Sequence, residues 1–431
     1  MKFGIIAQGS NGDVEILVSL ALGLIERNHT VEMFIVTFNN RDYTFLNKKE
    51  RIHVIQKHIY EKYRKEINDF EFWNEPVENR KGLFFQLHQI FEKDIVDYSY
   101  KFAKENDCLI SLYHIYEVSC IAEKHVIPYI SVNFPFGYIR SAHEVPYTLT
   151  HLKESDNNRL WDIFENYQNV YFKRTINYFR REHGLPPIKN VLRKVMTSKV
   201  LNLIPYSKCF GTRKLDKDNL YKLCGYLKSP SNYHNWNPNK NLSDFMKCEE
   251  KPVFMTVGSM TENENDIKKL QSILLGAAYL LKRKVIIQSK WEDGCENTIE
   301  NNVYKLSGFI SYEKVLCNCS VAVHHGGIGI MHHALESGCP SVIIKYGHDQ
   351  FYNAKLLHDM CVSSGSITRK EINAKDLSLL IKEALQDKIM KQKAEELSLL
   401  IKNENGVENA VQLVEQSLIR CKNMKQKFNV V

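Results

Sequence analysis

Short, uniformly apolar runs alternate with longer stretches in which apolar residues recur every three or four positions, and the alternation runs through the chain twice. Phe3–Ala7 reads as a buried strand, and Gln8-Gly-Ser-Asn-Gly-Asp13 as a turn with two glycines. Val14–Arg27 then carries Leu17, Leu20, Ala21, Leu24 and Ile25 at helical spacing until Asn28-His29 closes it, and Val31–Val36 is the next strand. Strands are expected over Cys108–Leu112, Ile127–Asn133, Val200–Pro205 and Tyr221–Tyr226. A helix is expected over Glu117–Lys124, and 151–200 reads as amphipathic helix with Trp161, Phe164, Tyr167, Tyr171 and Phe172 in a stripe. The second cycle opens with a strand in Pro252–Met260 and continues with a helix over Ile267–Leu281 and a strand over Lys284–Gln288. It then gives a strand over Ser320–Val323, a helix over Ile330–Ser337 stopped by Gly338 and Pro340, a strand over Ser341–Ile344, and a helix-rich tail after Gly365–Thr368. Strands alternating with helices in this way predict an α/β protein with Rossmann-like parallel sheets.

Length sets the number of sheets. A chain of 431 residues exceeds one core, and at roughly 150 residues per domain it suggests two or three units. From Leu227 to Asn241 the composition shifts to Lys, Ser, Pro, Asn and His, which marks a linker. The expected division is therefore 1–226, a linker over 227–241, a second domain over 242–405, and a last helix over 406–431. With 44% hydrophobic and 25% charged residues, the composition is that of a globular protein. No apolar stretch approaches the roughly 20 residues needed to cross a bilayer, and Met1–Ala7 reads as a strand instead of a signal peptide. Eleven scattered cysteines without a CxxC pair support neither a disulfide framework nor a zinc site, so reduced thiols and a cytoplasmic location are expected. The net charge of +8 is too diffuse to imply nucleic acid, but it suits an anionic ligand or peripheral contact with an anionic membrane.

The chemistry concentrates in Val321–Pro340 and on to Gln350. Here a strand turns through His324, His325 and glycines 326, 327 and 329 into a helix. Backbone N–H groups at that helix start can face a phosphate, with the dipole adding about 0.3–1 kcal/mol and His325 a cationic donor. Asp349 and Gln350 follow the next strand. Loops after strands share one sheet edge, so this carboxylate–amide pair would sit beside the phosphate site and suit sugar hydroxyls. The first turn fits G-x-x-G, not G-x-G-x-x-G, and Thr37, Asn39 and Asn40 stand where a dinucleotide site needs an acid, which argues against NAD(P). Asp13 is placed either to accept a hydroxyl proton or to cap the following helix. The aromatic-rich stretch 40–100 reads as an acceptor loop or as ordinary helix packing. Asp216-Lys-Asp218, in a basic, polar stretch, reads as a solvated turn and not a metal site.

His325-Gly-Gly-Ile-Gly, Gly338-Cys-Pro340 and Asp349-Gln350 resemble the nucleotide-sugar signature of the family 1 glycosyltransferases. The likeness is strongest to the bacterial branch with sterol, macrolide and rhamnolipid enzymes. Gly347-His-Asp-Gln-Phe-Tyr-Asn-Ala354 is most similar to its rhamnosyltransferases, and Gly9-Ser-Asn-Gly-Asp-Val to the opening of that branch. The resemblance implies the GT-B architecture, two Rossmann-like domains facing across a cleft, with the acceptor on the first, the donor on the second, and 406–431 crossing back to brace the first. It implies an inverting, metal-independent hexosyl transfer from a UDP- or dTDP-linked sugar to a hydroxyl of an apolar acceptor. No cofactor is expected. Asp13 would be the base, and His325, Gly327, Gly329, Gly258 and Ser259 would hold the diphosphate. Asp349 and Gln350 would hold the sugar, and the backbone of Phe309 and Ile310 the nucleobase. Ser10, His114, Phe134 and His143 are acceptor-side candidates. The chain departs from the family at Ser311 and Tyr312, at Ile330 and Met331 where hydroxyls are common, and at His333 where plant-type members place a ribose-binding glutamate. Alternative readings are a GT-B epimerase and an inactive sugar-nucleotide-binding relative.

Overall fold

The computed structural model describes residues 1–38, 41–58, 77–134, 139–140, 146, 157–210, 220–228, 236–256, 258, 264–291, 295–347 and 349–428; for 77–87 and 424–428 it describes the helical backbone alone. The chain divides into two compact units. The first comprises 1–63, 77–229 and 405–431, and the second 64–76 and 230–404.

In the first unit the strands are β1 (Lys2–Gly9), β2 (Thr30–Thr37), β3 (Ile52–His58), β4 (Cys108–Leu112), β5 (Tyr129–Val132), β6 (Leu201–Ile204) and β7 (Tyr221–Leu223). They form one parallel sheet in the order β3-β2-β1-β4-β5-β6-β7. The strand order reverses between β1 and β4, and in such sheets ligands bind outside the carboxyl ends of the strands at that switch point. Helices α1 (Asn11–Glu26), α2 (Val77–Glu105), α3 (Tyr116–His125), α4 (Asn157–Glu182) and α5 (Val191–Lys194) connect the strands. Strand β3 was not expected. It lies at the sheet edge with three of its seven residues exposed, so its apolar pattern is diluted by polar side chains. On α4, Trp161 and Phe164 are buried while Tyr171 is 38% exposed, so the aromatic stripe packs only in part.

The second unit contains α6 (Lys240–Met246), β8 (Val253–Thr256), α7 (Glu264–Leu281), β9 (Val285–Gln288), β10 (Thr298–Glu300) and β11 (Val303–Leu306). After them come α8 (Tyr312–Leu316), β12 (Val321–His324), α9 (Ile328–Glu336), β13 (Ser341–Lys345), α10 (Gln350–Asp359), β14 (Ser363–Thr368), α11 (Ala374–Gln386) and α12 (Lys388–Lys402). The sheet order is β10-β11-β9-β8-β12-β13-β14, and only β10 is antiparallel. The β10–β11 hairpin turns on Asn301 and Asn302, both at positive φ, the backbone that two-residue hairpin turns require. This sheet too reverses order, between β8 and β12. Both central strands are fully buried, as a sheet covered by helices on each face demands.

The last helix, α13 (Gly406–Phe428), packs on α1 within the first unit. Ile16–Leu24 of α1 are buried without interruption, which fits a helix apolar on every side, held between sheet and helix. Gly23 is where the two helices come closest: a Cβ there would lie 3.1 Å from Val411 Cγ2 and would overlap Val407. At the rim, Arg27 pairs with Glu415 at 2.8 Å and Glu408 at 3.4 Å, and His29 Nε2 meets Glu415 at 2.8 Å.

Candidate active site

At the switch point of the first sheet, β1 ends in Gly9 at φ +146°, a conformation that favours glycine. A Cβ on Gly9 would stand 2.6 Å from Asp13 Cβ and 2.7 Å from its Cγ, so the missing side chain is what lets the carboxylate fold back over the turn. Ser10 is the N-cap of α1 and Asp13 the third helical residue. Asp13 Oδ2 accepts from Ser10 N at 2.8 Å and from Ser10 Oγ at 2.9 Å. Asp13 therefore does cap the helix, but from inside its first turn and with one oxygen only. Burial raises its pKa above the ordinary carboxylate value, and the two Ser10 hydrogen bonds hold that rise back. The result is a carboxylate more basic than a free aspartate.

The other candidates of this unit lie on the same edge. His114 follows β4, with its ring 5.3 Å from that of Tyr113, and Phe134 follows β5, 6.5 Å from Tyr113. Burial first, and the charge of His88 second, push the His114 pKa down to about 4, so its imidazole is neutral at physiological pH. His143 and Ser259 lie outside the described residues, as do the aromatic stretch 59–76 and Asp216-Lys-Asp218.

At the switch point of the second sheet, β12 delivers His324 and His325 into the glycine turn. His324 is wholly buried. The Gly326 N–H donates to its Nδ1 at 3.1 Å, which leaves Nε2 to donate to Ser341 Oγ at 3.1 Å and fixes the tautomer. His325, next to it, is partly buried. Its ring stands between two glycines: a Cβ on Gly258 would come within 2.7 Å of Nδ1, and one on Gly327 within 3.1 Å of Cδ2. Among the described residues the Nδ1 of His325 has no hydrogen-bond partner, and burial lowers the pKa of the ring to about 4. The expected cationic donor is thus a neutral imidazole, because burial disfavours the charged form of the ring. Gly327 caps α9, so the first N–H groups of that helix, including Gly329, open at the same edge. Ile330 and Met331 are core residues, which accounts for their lack of hydroxyls.

Residues the sequence did not single out tie the loops together. Asn353 Nδ2 donates to Gly326 O at 2.8 Å and to Asp349 Oδ2 at 3.2 Å, which joins the glycine turn to the carboxylate beyond β13. Gln350 Oε1 accepts from Tyr346 N at 2.7 Å and Gly347 N at 3.3 Å, so this side of its amide shapes its own loop. Thr256 Oγ1 accepts from Gly258 N at 3.1 Å and donates to Gln288 Oε1 at 2.9 Å, while Gln288 Nε2 donates to Gly308 O at 2.8 Å. Tyr312 adds its hydroxyl to Gln288 at 3.3 Å, which gives a role to one departure from the family pattern. Phe309 is 46% exposed and Ile310 is buried, so Phe309 presents its ring outward while Ile310 anchors the segment. Asn353 was in view, inside the run after β13, but Thr256 and Gln288 carry no local signature. Gly258→Ala would force a side chain into positive φ against His325. It is expected to destabilise the fold by about 1–3 kcal/mol, read by urea denaturation. Among the described residues no cluster of His, Cys, Asp and Glu could hold a metal ion, and no helix is long and apolar enough to cross a membrane.

Residues 3–143 match the glycosyltransferase family 28 N-terminal domain, and 272–419 match the C-terminal domain of erythromycin biosynthesis protein CIII-like proteins. The chain is 27% identical over 457 residues to a sterol 3-beta-glucosyltransferase of Komagataella phaffii, covering 99% of this chain and 36% of that one. It is 23% identical over 440 residues to the O-mycaminosyltylonolide 6-deoxyallosyltransferase of Streptomyces fradiae, covering 96% and 97%. The chain thus spans about a third of the first relative's length and nearly all of the second's. Among solved structures, the spinosyn forosaminyltransferase SpnP superposes with a TM-score of 0.66 at 14% identity, over 97% of this chain and 99% of that one. The glycotransferase of kitacinnamycin superposes with 0.64 at 16%, over 96% and 98%. The chain belongs to the glycosyltransferases of GT-B fold, with a family 28 N-terminal domain and an erythromycin CIII-like C-terminal domain.

Proposed function

We propose that the protein is an inverting glycosyltransferase that moves a hexose from a UDP- or dTDP-linked sugar to a hydroxyl of an apolar small-molecule or lipid acceptor, without a metal. The observation that carries this reading is the His325 ring held between Gly258 and Gly327 at the open start of α9, with Asp349 tied to the same turn through Asn353. A diphosphate there gains the free N–H groups, the helix dipole and an imidazole whose pKa rises as the anion arrives. Gly327, Gly329, Gly258 and Ser259 make the rest of the diphosphate site. Asp349 and Gln350 hold the sugar, and the backbone of Phe309 and Ile310 holds the base. Asp13 takes the proton of the acceptor hydroxyl, whose oxygen attacks the anomeric carbon while the nucleoside diphosphate leaves. Ser10, His114, Phe134 and His143 belong to the acceptor side. The names of the relatives support a sterol or a macrolide as the acceptor class.

The test is a thermal-shift panel of UDP, dTDP, GDP and NAD on the wild type and His325→Ala. A nucleotide at about 100 times its dissociation constant stabilises by roughly 2.7 kcal/mol. UDP or dTDP should raise the melting temperature, and His325→Ala should lose most of that rise. A response to NAD alone would overturn the donor site. Ergosterol and a macrolide aglycone, each with UDP-glucose and dTDP-rhamnose, then test the acceptor. Consumption of the sugar nucleotide with no acceptor present would point to epimerisation instead.

A further inference from the structure

Next to Asp13's strand lies a buried polar cluster that neither the sequence nor the reaction has claimed. Gln8, the last residue of β1 before Gly9, is 2% exposed. Its Oε1 lies 2.6 Å from Nδ1 of His88 on α2, and Nε2 of the same ring lies 2.7 Å from Oε1 of Glu117 on α3. Glu117 is wholly buried. Glu92, one turn further along α2, accepts the hydroxyl of Tyr116 at 3.2 Å. Both partners of the His88 ring are acceptors, so the ring satisfies them together only when it carries a proton on each nitrogen. Burial opposes that charge, but Glu117 and Glu92 outweigh it, and the His88 pKa stands above its ordinary value. A cationic His88 also fixes the orientation of the Gln8 amide. Its oxygen must face the ring, so its NH2 group must face away.

That NH2 group is where the hydrogen bonding stops. Gln8 Nε2 is buried and has no partner among the described residues. Leaving a buried amide donor unsatisfied is costly, and here three elements cooperate to hold it in one orientation. It sits at the carboxyl end of β1, one residue before the turn that carries Ser10 and Asp13. His114, after β4, is close enough to His88 to feel its charge. This is the edge where a doubly wound sheet takes its ligand.

We propose that the Gln8 carboxamide donates a hydrogen bond to an oxygen of the acceptor, and that the His88–Glu117 pair is a positioning device that aims it. The inference rests on the glycosyltransferase reading and narrows the acceptor: besides the reacting hydroxyl it carries a second oxygen within reach of β1's end, such as an ether, carbonyl or neighbouring hydroxyl. Gln8 would bind, and His88 and Glu117 would act through it.

Gln8→Glu is the decisive variant. A carboxylate at position 8 keeps an acceptor for His88, and so keeps the cluster, but it has no proton to give. Steady-state kinetics on whichever of ergosterol and the macrolide aglycone the wild type glycosylates should show the Michaelis constant for the acceptor raised about tenfold, with that for the sugar nucleotide unchanged. The UDP thermal shift, which reports the second domain alone, should be retained. His88→Gln should raise the same constant less, because it loosens the aim without removing the donor. An unchanged acceptor constant in Gln8→Glu overturns the proposal, as does an equal rise for both substrates. A wild type that binds UDP but glycosylates neither probe also overturns it, since neither would then meet the site. Loss of UDP binding in the wild type is a different result and removes the donor reading itself.

Discussion

Asp13→Asn is expected to lower kcat by about 10²–10⁴-fold while leaving the fold at least as stable as the wild type. The two halves of this expectation come from the same geometry. Asp13 Oδ2 accepts two hydrogen bonds from Ser10, and an asparagine oxygen can take its place in that cap. What asparagine cannot do is accept the acceptor's proton. Burial raises the Asp13 pKa, so the folded protein binds that proton more tightly than the unfolded chain does. The stability this contributes is present at low pH and is lost as pH rises through the folded value. At neutral pH the ionised carboxylate therefore opposes folding slightly, and the neutral amide relieves it. The same rise sets the pH profile: kcat/KM should fall with decreasing pH, along a limb above the range of an ordinary aspartate. A steep loss of melting temperature in Asp13→Asn would instead make Asp13 chiefly a cap. Retained activity would remove it from the chemistry.

Fold and site were legible to different depths, and the reasons are physical. Central parallel strands are apolar on both faces, so β1, β12 and β13 stand out as unbroken runs, and the glycine turns after β1 and β12 mark the helix starts. Edge strands are not protected this way. β3 mixes Ile52 and Val54 with exposed polar residues, and β10 is wholly exposed, so neither stands out as an apolar run, although the Asn301-Asn302 pair between β10 and β11 takes the positive φ of a hairpin turn. At the site, backbone-determined positions such as Gly258, Gly327 and Asp13 could be read because turns and caps are local. The Thr256–Gln288–Gly308 chain and the Gln8–His88–Glu117 cluster join residues 20 to 80 positions apart. Their side chains are ordinary in their own segments and acquire meaning only when strands become neighbours. The protonation state of His325 was hidden for the same reason: a histidine in a glycine-rich turn looks solvent-facing until the flanking chain closes over it.

Burial of neutral histidines should make the second domain sensitive to acid. His324 is fully buried with its Nδ1 accepting from Gly326, and His332 is 1% exposed with Nδ1 2.7 Å from Ile328 O. Burial lowers the pKa of each from 6.5 to about 3. In the unfolded chain both protonate near 6.5, whereas in the folded domain both stay neutral, so as pH falls the unfolded state binds more protons and stability drops. The loss begins at the unfolded value and continues down towards the folded one. Between pH 7 and pH 5 each histidine removes about 2 kcal/mol, hence about 4 kcal/mol together, against a total of about 5–15 kcal/mol for a domain. Urea denaturation at the two pH values, followed by a signal from the second domain, should show a midpoint displaced by that amount. His332→Gln should then recover about half of the pH dependence, because glutamine does not titrate. A bound diphosphate would not change this part of the balance, since neither ring reaches the open start of α9: one is pinned to Ser341 and the other to its own helix. An equal loss of stability with and without His332 would mean that the acid response comes from carboxylates, and that these rings take up protons in the folded state as readily as in the unfolded chain.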